Sequence, residues 1–286
     1  MKSVCIKLSS LKTTKYLLEK LNNLKFNDTY FSCKKFRIYY NIIIHFKGNN
    51  INLFLVQLSK LLSAFIIDLF EENITKSLIK SEYFYFDNLE QQQILNITMQ
   101  DLYDSEEAIN SDSNRIKIIN DKLYEYLNYN HSIILKGFIK FRIRNYLEAL
   151  LEQIDKSVNK YIIEKEYTEF ISLLRLYVNS EKSSCSEVHL IYHNYKPLLL
   201  DENKNIININ EDALNVKYLS DITFSSNDYT LNTLLNIIPN KINVHLIDEK
   251  IDEFINTLKL VFEERVIFCS NCPICDIYKK SPSINS

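Results

Sequence analysis

The spacing of apolar and polar positions divides the chain into three stretches. In the first stretch, alternating apolar residues predict strands at residues 3–8 and 36–47, with a helical period at 13–24 between them. The segment 36–47 is predicted to turn near Asn41. The middle stretch, from about residue 50 to 180, is helical almost throughout. Its predicted helices cover residues 51–79, 89–103, 115–129, 133–158 and 161–178.

The last stretch returns to alternating strands and helices. Strands are predicted at 188–192, 196–200, 206–209, 241–247 and 266–269, and helices at 227–238 and 248–265. The sequence therefore predicts a mixed α+β protein with a small N-terminal α/β unit, a long helical centre and a C-terminal α/β unit ending in a cysteine loop. The predicted units are residues 1–48, 49–180 and 181–286, with a polar, serine-rich link at 179–186.

Composition excludes several classes of protein. Hydrophobic residues make up 46% and charged residues 24%, as in ordinary globular proteins, and 34 basic against 36 acidic residues leave a net charge of -2. Binding to nucleic acid would therefore require a local patch. With two glycines, Gly48 and Gly137, no glycine-rich phosphate loop can be drawn, and neither the nucleophile elbow nor the zincin motif occurs. The familiar kinase, hydrolase and dehydrogenase signatures are therefore missing, which favours a non-enzymatic role and leaves an unfamiliar active site open.

Two features bear on location. The N-terminus lacks the long uncharged segment of a secretory signal, which favours a cytoplasmic protein. The most apolar stretch, residues 51–70, contains Asn52, Gln57, Lys60 and Asp68, each costly to bury in lipid. This stretch therefore predicts a core helix and no membrane span.

Half of the six cysteines fall within seven residues near the C-terminus. Cys269, Cys272 and Cys275 follow a predicted strand at a spacing that lets thiolates converge on Zn²⁺ or an iron–sulfur cluster. The position of a fourth cysteine in a ferredoxin-type run is occupied by Lys279. Metal binding, reversible thiol–disulfide chemistry and a reduced structural loop all remain open.

A metal site would need a fourth ligand from elsewhere. Cys185, His189 and His193 recur every four residues, and His245 lies on a later predicted strand. A second protomer or an exogenous thiol could also complete the site. The alternative for His189 and His193 is an ordinary hydrogen-bonded strand position.

A basic run marks the central helices. Lys136, Lys140 and Arg144 recur every four residues, which predicts one helical face, and aromatic residues lie between them. Such a face could bind the phosphates and bases of a nucleic acid. The apolar stripe beneath it favours instead a core helix with solvated charges.

Four segments resemble the YtxC-like family of sporulation proteins. The shared residues are Gly137-Phe138-x-x-Phe141-Arg142 with Tyr146; Glu166-Tyr167-x-Glu169-Phe170-Ile171-x-Leu173-Leu174; Ile238-Pro239-x-Lys241-Ile242-x-Val244-His245; and Phe254-x-x-Thr257-Leu258-x-x-Val261-Phe262-x-x-Arg265-Val266. The resemblance implies an endospore-forming host and a role in sporulation. It supplies no catalytic residue and no cofactor.

Three functions therefore follow from the sequence. The first is a non-enzymatic sporulation accessory protein that binds a protein partner, with homo-oligomer formation open. The second is a metal or thiol-redox protein that uses the C-terminal cysteines. The third is a nucleic-acid-binding protein that uses the basic central helix.

Overall fold

The computed structural model describes residues 2–23, 28–103, 106–208 and 225–280, with the backbone alone for 106–114 and 280. The chain forms two compact units, residues 1–163 and 164–286. Each contains a four-stranded sheet packed with helices, which confirms the predicted α+β class. The three-part division drawn from the sequence stays a prediction.

The first unit contains a sheet with strand order β2-β3-β1-β4. Its strands are β1 (Lys2–Leu8), β2 (Thr29–Phe36), β3 (Tyr39–Phe46) and β4 (Ser132–Ile134), and helix α1 (Leu11–Asn23) joins β1 to β2. β3 lies antiparallel between β1 and β2, and β4 runs parallel to β1. Alternate residues of β1 and β3, such as Val4 and Ile44, are buried in the core, while the opposite face is at least partly exposed.

The hairpin between β2 and β3 turns at Arg37 and Ile38, so the predicted turn near Asn41 is wrong. Phe36 pairs with Tyr39 across a two-residue loop in which Arg37 takes a positive φ of 53°. β2 starts at Thr29, well before the predicted strand. Most of its side chains are exposed, so its sequence has little apolar alternation to reveal it.

Five more helices belong to the described part of the first unit. They are α2 (Ile51–Glu82), α3 (Asn88–Tyr103), α4 (Glu106–Tyr129), α5 (Leu135–Arg142) and the start of α6 (Arg144–Ser180). Among the described residues, α2 is the one helix long and apolar enough to cross a membrane. More than half of its most apolar stretch is buried inside the protein, as expected of a core helix. Asn50 caps α2 by accepting the backbone N–H of Leu53.

A polar cluster lies within this helical core. Glu71 of α2 is fully buried and accepts hydrogen bonds from the hydroxyls of Tyr103, at 2.6 Å, and Tyr146, at 2.8 Å. The guanidinium of Arg115 lies 3.5 Å from the same carboxylate. Burial, together with Glu71, raises the pKa of both tyrosines, so they remain hydrogen-bond donors. The carboxylate thereby links α2 to α3, α4 and α6.

The helix predicted at 133–158 is interrupted in the structure. Residues 132–134 pair with β1 as strand β4, and the helical hydrogen bonding breaks at the buried Ile143, between α5 and α6. α6 then continues through residues 159 and 160, where the sequence predicted a gap. The pairing of β4 with β1 joins positions more than 120 residues apart, and local periodicity contains no signal for such a contact.

The second unit contains a sheet with strand order β6-β5-β7-β8. Its strands are β5 (Cys185–His193), β6 (Lys196–Leu200), β7 (Pro239–Leu246) and β8 (Val266–Phe268). β5, β7 and β8 run parallel, and β6 forms an antiparallel hairpin with β5. The strand predicted at 206–209 is reduced to one bridge between Leu200 and Ile206, and Ile209 lies outside the described residues.

Four of the described helices cover the two faces of this sheet. α7 (Ser226–Ile237), α8 (Glu253–Phe262) and the end of α6 pack on one face, around buried residues such as Val188 and Val244. The predicted helix 248–265 is therefore shorter, since Asp252 caps α8 and residues 263–265 form a 3-10 turn. α9 (Pro273–Lys280), which was not predicted, contributes Ile274 and Cys275 to a smaller cluster with Ile191, Leu200 and Ile247.

Candidate metal centre

Three cysteines and one histidine converge on the face of the second sheet that α9 covers. His245 lies on β7, Cys269 directly follows β8, Cys272 directly precedes α9, and Cys275 lies in its first turn. β7 and β8 are parallel neighbours, and Val244 pairs with Phe268. This register brings the next residues on the two strands, His245 and Cys269, to the same end of the sheet.

The four ligand atoms form a compact set. The Sγ of Cys275 lies 3.9 Å from that of Cys272 and 3.8 Å from that of Cys269. The Nδ1 of His245 lies 3.3 Å from the Sγ of Cys275 and 3.5 Å from that of Cys272. All four atoms lie within 4.8 Å of one another.

Four of the six separations in this set match the edges of a zinc tetrahedron. Zinc binds sulfur at about 2.3 Å and imidazole nitrogen at about 2.0–2.1 Å. Tetrahedral angles then place two sulfur ligands about 3.8 Å apart and a sulfur about 3.5 Å from a nitrogen. The four separations given above, from 3.3 to 3.9 Å, are close to both values. The side chains are therefore arranged around a position that one tetrahedral ion could occupy.

Backbone contacts hold the cysteine loop in this shape. The N–H of Cys269 donates to the carbonyl of Val244 at 2.9 Å, which fixes the loop to β7. Asn271 takes a positive φ of 76°, and its side chain accepts a hydrogen bond from Lys279 of α9. Pro273 occupies the first position of α9, where the missing N–H costs no helical hydrogen bond.

The thiols differ in acidity. Burial raises the pKa of Cys269 to about 12, with further contributions from the neighbouring thiols. Burial acts in the same direction on Cys272, but backbone N–H groups of Cys275 and Ile274 donate to its sulfur and hold its pKa below the ordinary value. Cys272 is thus the thiol on which the loop stabilises negative charge.

His245 is held by a second histidine. It is 2% exposed, and burial, reinforced by the charge of His189, lowers its pKa, which favours the neutral imidazole that metals require. Its Nε2 lies 3.1 Å from the Nδ1 of His189, whose Nε2 in turn lies 3.9 Å from Glu187. With Nε2 bound to His189, His245 has Nδ1 available toward the cysteines.

The other predicted ligands lie elsewhere. Cys185, at the opposite end of β5, donates to the carbonyl of Glu187, and His193 lies 3.3 Å from Asp248 near the β5–β6 turn. Of the four candidates for the fourth position, the structure brings His245 to the cysteines and places His189 behind it. From the sequence, His189 was a candidate metal ligand, and no pattern indicated that it would contact His245 and not the cysteines.

The basic run does not form one helical face, contrary to the prediction. Lys136 and Lys140 are exposed on α5, but Arg144 follows the break at Ile143 and begins α6. There it pairs with Glu148 at 3.2 Å. The aromatic residues also separate, because Tyr146 is buried and Phe141 is exposed.

Comparison with known proteins places most of the chain in one family. The model of the YtxC-like family matches residues 56–267, a range that includes His189 and His245 and ends before Cys269. The protein named "Uncharacterized protein YtxC" from Bacillus subtilis (strain 168) is 24% identical over 213 residues, covering 72% of this chain and 74% of that protein. No solved structure matches the chain. Because the family match extends over well more than half of its length, the chain belongs to the YtxC-like family.

Proposed function

We propose that the second unit is a zinc-binding module in which Cys269, Cys272, Cys275 and His245 hold one ion. The observation that carries the proposal is the convergence of four soft ligand atoms within 4.8 Å of one another. Three thiolates and one imidazole are a frequent ligand set of structural zinc. The ion would tie β7, β8 and α9 together at the end of the sheet.

The spacing favours a single ion over a four-iron cluster. In such a cluster each cysteine binds a different iron, so the sulfurs lie farther apart than ligands of one ion. The Sγ separations of 3.8 and 3.9 Å fit one shared metal. With four protein ligands, no coordination position remains for a substrate or an attacking water, so the proposed role is structural.

In this proposal the protein is a non-enzymatic, cytoplasmic accessory protein of sporulation that acts through a protein partner. Its support is the family resemblance, together with the absence from the sequence of the familiar catalytic motifs. The zinc module would stabilise the surface that the second unit presents to the partner. Counting heat-resistant spores from a host strain that lacks the gene tests the sporulation role, and an undiminished count would contradict it.

Metal content separates the zinc proposal from a reduced cysteine loop. Protein purified without oxygen is expected to contain about one zinc per chain, measured by elemental analysis. The Cys269→Ser, Cys272→Ser, Cys275→Ser triple variant is expected to lose it. The chain supplies a matched control, because Cys5→Ser, Cys33→Ser, Cys185→Ser removes its other three cysteines and should leave the zinc in place.

The outcomes are distinct. Stoichiometric iron in place of zinc, lost in the same variant, would overturn the choice of metal. No metal in the wild-type protein, or equal metal in both triple variants, would overturn the site itself.

His189 is expected to strengthen metal binding without touching the metal. His189→Ala removes the group that holds the Nε2 of His245, and loss of such a partner weakens metal affinity by about 10- to 100-fold. Competition with a chromophoric chelator measures this change. His193→Ala is the control, because His193 is on the same strand and pairs with Asp248. Equal affinities for the two variants would contradict the proposed role of His189.

A further inference from the structure

The first sheet and α5 form a basic surface in a chain that is slightly acidic overall. β1 to β4 and α5 contain no aspartate or glutamate. Their cations are Lys2, Lys7, Lys34, Lys35, Lys136, Lys140 and Arg142. Within the part of the chain that the structure describes, none of these cations forms an ion pair with a carboxylate.

Part of this charge lies on the open face of the sheet. Lys34, Asn41, Lys7 and Ile134 pair in register across β2, β3, β1 and β4, and residues paired in this way point to the same side. This side is opposite the buried residues Val4, Ile6 and Leu8. At about 4.8 Å per strand, Lys34 and Lys7 lie roughly 10 Å apart. The two cations are thus far enough apart to contact different phosphates of one ligand.

A groove continues from this face past the edge strand β4. It has a volume of 580 Å³, and its lining includes Lys7, Ser132, Phe141 and Arg142. Lys7 and Arg142 are the charged residues of this lining. An adjoining lobe of 330 Å³ shares Phe141 and Arg142 and contains the Lys122–Glu125 ion pair.

Exposed aromatic rings accompany the cations. Phe141 is 72% exposed, and the Nζ of Lys140 lies 5.5 Å from its ring centroid. Tyr30, in the outer strand β2, is 58% exposed, and Lys47 lies 4.6 Å from its ring. A ligand that covers these exposed rings gains free energy by burying them. A nucleobase is a planar group that can stack on such rings.

We infer that the open face of the first sheet and the groove beside Phe141 bind single-stranded nucleic acid. Its phosphates would lie near Lys7, Lys34 and Arg142, and a base would stack on Phe141. Unpaired cations spread across several strands suit a chain of phosphates better than a single nucleotide, and exposed rings suit unpaired bases. This surface belongs to the first unit and uses none of the proposed zinc ligands, so it goes beyond the proposed function.

The test is binding of a fluorescent oligouridine or oligothymidine of about 12 nucleotides, followed by anisotropy as salt is varied. The Lys7→Gln, Lys34→Gln, Arg142→Gln triple variant is expected to bind at least about tenfold more weakly at low salt, with a salt slope smaller by about 2. Phe141→Ala is expected to weaken binding by about 5- to 150-fold through lost stacking. Phe141 is exposed, so the fold should persist, as circular dichroism can verify.

Controls separate base recognition from simple charge attraction. Lys76→Gln, Lys80→Gln, Lys156→Gln makes the same charge change on α2 and α6 and should bind as the wild type does. A strand of the same length with base-free sugars should bind far more weakly than oligothymidine. The inference is overturned if the wild type does not bind at low salt, if the base-free strand binds equally well, or if both triple variants lose binding alike. It is also overturned if vesicles rich in phosphatidylserine bind the wild type and the oligonucleotides do not.

Discussion

Replacing Glu71 by alanine is expected to lower the free energy of unfolding of the first unit by about 3–5 kcal/mol. Glu71 is fully buried and accepts hydrogen bonds from Tyr103 and Tyr146, while the guanidinium of Arg115 lies 3.5 Å away. Removing the carboxylate takes one counter-charge from the buried guanidinium of Arg115, and it takes the acceptor from the buried hydroxyl of Tyr146 and the half-exposed hydroxyl of Tyr103. Urea unfolding followed by circular dichroism measures the loss.

Two further variants make the Glu71 prediction specific. Glu72→Ala removes the adjacent glutamate, which is exposed, and should change the free energy of unfolding by no more than about 0.5 kcal/mol. Glu71→Gln keeps an oxygen that can accept from the tyrosines and removes the charge, so its cost should fall between the two alanine variants. A Glu71→Ala protein as stable as Glu72→Ala would contradict the assignment of this cluster as a structural centre.

Removing the metal is expected to destabilise the second unit by about 4 kcal/mol when free zinc stands at 1,000 times its dissociation constant. The proposed ligands join short elements that have little stability of their own. β8 has three residues and α9 has eight, and an isolated helix of that length is marginal in water. The cluster beneath α9 is small, so cross-linking through the ion should supply much of its stability.

Hydrogen exchange can locate this effect. After treatment with a zinc chelator, backbone amides of residues 266–280 should exchange much faster, while those of α2 serve as an internal reference. The Cys269→Ser, Cys272→Ser, Cys275→Ser variant should exchange in the same way with or without chelator. Unchanged exchange of the wild-type segment on chelation would contradict a structural role for the ion.

Local sequence patterns predicted much of this architecture. The strands β1, β5, β6 and β7 and the long helix α2 have apolar periods strong enough to identify them. Two strands were missed because β2 and β4 contribute little apolar alternation of their own. β4 is a strand because it pairs with β1, more than 120 residues away, and a local window contains no trace of that partner. β2 is a strand because it pairs with β3 in the adjoining hairpin, although most of its own side chains are exposed.

The candidate metal site was also predicted only in part. The cysteine spacing identified three ligands because Cys269, Cys272 and Cys275 are close in sequence. The fourth ligand was left open among four residues of the chain, a second protomer and an exogenous thiol, because the choice depends on strand order and register. Parallel pairing of β7 with β8 puts His245 beside Cys269, and pairing of β5 with β7 puts His189 behind His245. Both contacts are long-range.

The most direct test of the central claim is zinc-edge X-ray absorption of protein purified without oxygen. The geometry predicts a first shell of three sulfur atoms at about 2.3 Å and one nitrogen atom at about 2.0–2.1 Å from the zinc. In His245→Ala the nitrogen should disappear while the three sulfurs remain. A wild-type shell with four sulfurs, with oxygen ligands in place of sulfur, or with a nitrogen that survives His245→Ala would contradict the Cys269–Cys272–Cys275–His245 site.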